Sequence, residues 1–195
     1  MLLALAPVAA LPWLHGFFAP AASSDVGSYD CGMENPSQMT IVADVVPSSP
    51  GSEQMLASYT DGIVVLDRNR RPLGSNRGFA CEGSADELVA IAAGDASIGV
   101  PVVIMAATRG GFMESTTTLM IFRVNPRGGL QPVFDGDVEY HERDPETREP
   151  TTRTGVVTLI PGGLVYRDPQ GVISLWTYDR DAGRYLESLN TRPSA

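Results

Sequence analysis

The chain has 195 residues, 43% hydrophobic and 19% charged, with a net charge of −9 at pH 7; that balance can bury an ordinary core and excludes a disordered chain or a polytopic membrane protein. The acids are spread along the sequence rather than gathered in a tail, which disfavours non-specific attraction to nucleic acid or anionic lipid. All 14 basic side chains are arginine, which excludes Schiff-base lysines, the lysine of a P-loop and a lysine general base, and points to the codon usage of a GC-rich bacterial genome.

The N-terminus, MLLALAPVAALPWLHGFFAPA, has no ionised side chain and ends in the small residues Ala19 and Ala21 around Pro20. Residues 1–21 are read as a cleaved export signal, which leaves residues 22–195 as a single all-β domain in the periplasm, secreted or at the cell surface. Because the charged leading segment of a signal is missing, an uncleaved anchor is the alternative. Cys31 and Cys81, an even count in an exported chain, predict a disulfide. Closing a loop of about 50 residues stabilises by roughly 4 kcal/mol in the chain-entropy picture. Two buried thiols are the other reading, and the SYDCG context of Cys31 lacks the pattern that precedes a lipidated cysteine.

From residue 38 onward the sequence is strand-like almost throughout. QMTIVADVV, QMLASY, GIVVLD, VPVVIMAA, TTLMIFRV, LQPVF, DVEYHE, GVVTLI, GLVYRD, ISLWTYD and RYLES are short, rich in β-branched and aromatic residues, and separated by Gly, Pro and Asp turns. Ser84 and Glu87 form a capping-box spacing ahead of Leu88, Ile91 and Ala92, so a short helix competes there with a strand. Three hairpin halves recur, anchored at Leu66, Phe122 and Tyr178, which lie 56 residues apart twice. The fold expected is all-β: repeated four-stranded antiparallel modules, β-propeller-like with about three blades, with a β-sandwich as the alternative.

Within this pattern AAGDASIGVPVVIMAATRGG, followed by TTLMIFRV, resembles the FG-GAP/VCBS-type repeat of secreted and integrin-like propellers, over residues 90–124. The resemblance implies a calcium loop opening at Gly94 and Asp95, then a buried strand, a glycine turn and a second strand. Calcium wants six to eight oxygen ligands, and after Asp95 the loop reads ASIGVP, so no calcium site or other cofactor is carried onto the chain. DRDAG, with Asp179, Asp181 and Gly183, is read as a hairpin turn. Since single-chain propellers usually need four or more blades, three imply a ring shared in a homo-oligomer or a different closed arrangement.

The strongest chemical constellation is DGDVEYHE, in which Asp135, Asp137, Glu139 and His141 are two residues apart and would share one strand face. That arrangement could hold a divalent cation or serve acid–base chemistry; a solvated face on an edge strand is the preferred account of it. His141 is the one histidine beyond the export segment, which excludes multi-histidine zinc sites, and neither G-x-S-x-G nor a phosphate-binding glycine loop occurs. Tyr166, Trp176, Tyr178 and Tyr185 are read as core, with a carbohydrate- or peptide-binding patch beside Arg167, Arg180 and Arg184 as the competing reading. The expected function is an exported non-catalytic module that binds a partner protein or surface polymer through loops 110–117 and 142–155. A small extracytoplasmic hydrolase using the acids of residues 135–142 is the alternative.

Overall fold

A computed structural model describes residues 14–15, 38–46, 48, 53–58, 62–76, 87–94 and 98–191. Most of the export segment, both cysteines of the expected disulfide, and Asp95 lie outside these residues. Three antiparallel meanders follow one another along the chain, and no helix occurs among the described residues. The first sheet is β2 (Gln38–Ala43), β3 (Glu53–Ser58), β4 (Gly62–Leu66) and β5 (Pro72–Asn76), paired in that order. The second is β6 (Glu87–Gly94), β7 (Val102–Gly110), β8 (Glu114–Val124) and β9 (Leu130–Arg143), extended by β10 (Pro150–Thr154). The third is β11 (Val156–Ile160), β12 (Gly163–Arg167), β13 (Ile173–Asp179) and β14 (Arg184–Thr191). A two-residue strand β1 (Leu14–His15) pairs in parallel with β11 at Val157 and Thr158.

The 56-residue repeat is thereby explained, because each anchor falls on the third strand of its sheet, just before the turn into the fourth. From Glu87 onward the capping-box segment is β6, not a helix: Ile91 and Ala92 pair with Met105 and Ile104. Sheet pairing overrides the local helical spacing there, since β7 supplies ladder bonds along the whole segment.

The sheets stack face to face through two cores. One core gathers Ile63 and Val65 of the first sheet with Val103, Met105 and Phe122 of the second. The other gathers Val102, Ile104, Leu119 and Ile121 with Val157, Leu159, Leu164 and Tyr185 of the third. The middle sheet is therefore buried on both faces, which is why VPVVIMAA has no apolar–polar alternation; Val102 through Ala107 are all buried.

Turn chemistry repeats along with the strands. Asp67 accepts from the N–H groups of Asn69 and Arg71, Asn125 from Arg127 and Gly129, and Asp168 from Gln170 and Val172, all at 2.7 to 2.9 Å. Each closes a three-residue hairpin whose last residue takes a left-handed conformation. That residue is Gly128 (φ 88) and Gly171 (φ 87) in two of the turns, but Arg70 (φ 61) in the first sheet. For a residue with a Cβ this conformation costs about 1 kcal/mol or more. The DRDAG segment is the hairpin turn expected of it, with Asp179 accepting from Asp181 and Ala182 and with Gly183 at φ 64.

Candidate functional site

The four acid and imidazole side chains of the middle sheet do not share a face. Thr118 of β8 opposes Asp137, whereas its neighbour Thr117 opposes Glu139, so Val138 is an extra residue in β9. Adjacent residues of a strand point to opposite faces, and the bulge therefore sends Asp135 and Asp137 to one side of the sheet and Glu139 and His141 to the other. The expectation of one shared face is corrected by this single inserted residue. Val138 is 0% exposed in the core against the third sheet, on the same face as Phe134, and the strand changes face only after it, from Glu139 onward. In the sequence the available signal was Gly136, since an isolated glycine in a strand marks a bulge or a close approach. A Cβ there would lie 2.9 Å from Tyr166 Cζ.

Each half of the split constellation has local partners. Thr118 Oγ1 donates to Asp137 Oδ1 at 2.8 Å. His141 Nε2 lies 3.2 Å from Glu139 Oε1, and its Nδ1 lies 2.8 Å from Thr152 Oγ1 on β10. Among the described residues no three His, Cys, Asp or Glu side chains converge as a metal site requires. Asp135 and Asp137 border a cleft of about 380 Å³ between β5 and the middle sheet, floored by Met120 and Phe122, with Asn76 and Arg109 also lining it.

Tyr166 ties the third sheet to this strand by donating from its hydroxyl to the Asp137 carbonyl at 2.8 Å. Burial, reinforced by the carboxylates of Asp137, Asp168 and Asp135, pushes its pKa well above the ordinary tyrosine value. A group whose folded-state pKa is raised stabilises the fold below its unfolded value and loses that contribution as pH climbs past about 10. Alkaline absorbance titration should therefore show Tyr166 ionising only as the fold is lost, and Tyr166→Phe should remove that late step. Ionisation of every tyrosine together with the exposed ones, while the chain is still folded, would contradict the buried hydrogen bond.

Of the aromatic residues of the last module, Tyr185 is buried in the core, and Tyr166, Trp176 and Tyr178 pack against it half-buried. Phe134 stands edge-on to Tyr166 (5.5 Å), Trp176 (5.3 Å) and Tyr185 (6.4 Å), and Trp176 Nε1 donates to the buried Ser174 Oγ at 2.7 Å.

The two loops singled out in the sequence meet at the far end of the middle sheet. The hairpin between β7 and β8 presents Phe112, 71% exposed, and the partly exposed Met113. The longer hairpin between β9 and β10 backs them: the Arg143 N–H donates to the Met113 carbonyl at 2.8 Å, and its guanidinium lies 4.6 Å from the Phe112 ring centre. Arg148 Nη1 lies 3.0 Å from Met113 Sδ. Loop spacing alone could not show this pairing, which depends on β9 running on past the bulge to Arg143. No family model matches the chain, and no curated protein matches it.

Proposed function

We propose that the protein is an exported, non-catalytic β-repeat module that binds a partner protein through the paired tips of the β7–β8 and β9–β10 hairpins. The observation that carries this reading is Phe112, a large aromatic side chain held in solvent beside the exposed Met113 at the end of the middle sheet. Aromatic, methionine and arginine side chains are the types enriched at the centres of protein interfaces. Here all three occur on one tip, and the Arg143 contacts hold the loop in one arrangement, which lowers the ordering entropy lost on binding. Separation of Asp135 and Asp137 from Glu139 and His141 supports the non-catalytic reading over a hydrolase that gathers all four side chains. The three sheets are, on this proposal, degenerate FG-GAP/VCBS-type blades that need no calcium, and the position of the 56-residue anchors on the same strand of each sheet supports it. Export rests on the apolar N-terminal segment.

A photo-crosslinking amino acid placed at Phe112 in the exported protein should give a discrete adduct in cells, and the same group at the exposed Thr177 of the third sheet should not. Phe112→Asp should lower partner affinity at least about tenfold, as loss of a central interface aromatic does, with the melting temperature unchanged. Equal adduct yields at both positions would count against a binding tip.

A further inference from the structure

The turns at residues 67–71, 125–129 and 179–183 join the third and fourth strands of the three sheets, and they lie side by side at the end of the molecule opposite Phe112. Gly128 lies against Leu73, Ser48 Oγ donates to the Pro126 carbonyl, and Gly183 lies against the Arg123 guanidinium. Stacked sheets sit about 10 Å apart, so the turns make a row about 20 Å long. That row carries Arg68, Arg70, Arg71, Arg127, Arg180 and Arg184, all exposed. None of the six is in an ion pair among the described residues. Asp67 and Asp179 turn their carboxylates to backbone N–H groups of their own turns and form no ion pair with these arginines among the described residues. Asp44 and Asp181 are exposed carboxylates at this end, and Glu53 stands at the same end opposite Ala43. Six exposed arginines, outside any ion pair among the described residues, thus line one rim of a chain whose net charge is −9.

A second observation points to the side chains themselves. Arg70 holds a left-handed backbone where the equivalent residues of two sister turns are glycine. Strain retained against an unstrained alternative indicates a use for the side chain that replaces the glycine. We infer that the rim binds a linear anionic polysaccharide, one bearing carboxylate or sulfate groups at regular intervals. Arginine forks match such oxyanions in pairs of hydrogen bonds. Nucleic acid and membrane fit less well, because the turns present no exposed aromatic ring on which a base would stack and no large apolar side chain to enter a bilayer. The surrounding negative surface repels a polyanion from the rest of the protein and confines it to the row.

The test is affinity electrophoresis of the full chain in polygalacturonate, with thermal melting in parallel. The wild type should be retarded, and less so as salt rises. Arg70→Gly should bind about fivefold more weakly, in line with loss of one charge-assisted contact, while melting at the same or a higher temperature because the strained backbone is relieved. A purely structural role for Arg70 would leave retardation unchanged and overturn the inference. Combining Arg70→Gly with Arg127→Ser and Arg180→Ser should abolish retardation, whereas Arg148→Gly, which relieves the same strain at the opposite end (φ 65), should bind as wild type. Absence of retardation of the wild type would overturn it. So would equal or tighter binding to single-stranded DNA or to phosphatidylglycerol vesicles. Apart from the Arg148 control, which lies on the β9–β10 hairpin, the variants leave the Phe112 tip untouched, so either reading can fail alone.

Discussion

Phe134→Ala should lower the stability of the fold by about 3 to 5 kcal/mol. Phe134 is buried at 4% exposure in the core between the middle and third sheets, and it is the ring on which Tyr166, Trp176 and Tyr185 all converge edge-on. Truncation removes the transfer free energy of the ring and leaves a cavity walled by three rigid aromatics on three different strands of the third sheet. Such walls collapse poorly, which places the cost toward the upper part of the range. Against a total stability of about 5 to 15 kcal/mol, that is enough to unfold a marginal domain. Urea denaturation should show an earlier midpoint, and where a folded baseline survives, the emission of Trp176 should move to longer wavelength as water reaches its ring. Phe134→Leu should recover much of the loss by refilling the volume. A cost below about 1 kcal/mol, which is typical of exposed sites, would mean that the third sheet is not packed on the middle one through this cluster.

The stacking that Phe134 serves was partly legible before any coordinates. Strand content, the 56-residue period and a buried strand over β7 could all be read because each rests on local chemistry: β-branched runs, Gly, Pro and Asp turns, and a near-continuous apolar run. The aromatic residues of the last module were also read as core. What could not be read was which side chains share a face in β9. Period-two alternation holds only while the register holds, and one bulge at Val138 separated Asp137 from Glu139. A bulge is decided by what the partner sheets bury, and that is a tertiary fact. The Phe112 tip was hidden for a similar reason: Phe112 and Arg143 are 31 residues apart in sequence, and only the length of β9 brings them together. The arginine row was likewise dispersed over three modules, and became a surface once equivalent turns were stacked side by side.

Gly74→Ala should destabilise the protein by about 1 to 3 kcal/mol, as overpacking of a tight contact does, although the same change in an ordinary strand stabilises by about 0.5 to 1 kcal/mol. The sign reverses because of a neighbouring backbone, not because of the backbone conformation of Gly74 itself. A Cβ at this position would lie 2.2 Å from the carbonyl oxygen of Gly128 and 2.7 Å from the nitrogen of Gly129. Neither atom belongs to a flexible side chain that could swing aside. Relief requires that β5 retreat from the β8–β9 turn, and that turn is fixed by Asn125, which accepts from the N–H groups of Arg127 and Gly129. The neighbouring Ser75→Ala, at an exposed site on the same strand, should stay within about 0.5 kcal/mol of wild type and serves as the control for strand propensity. The contact also fixes the gap between the first two arginine-bearing turns, so Gly74→Ala should weaken retardation in polygalacturonate without removing any charge. If the alanine variant instead melted higher than wild type, the first sheet would not approach the middle sheet at this point. The two turns would then not form a continuous row, and the anionic-polymer site would lose its first segment along with the packing argument.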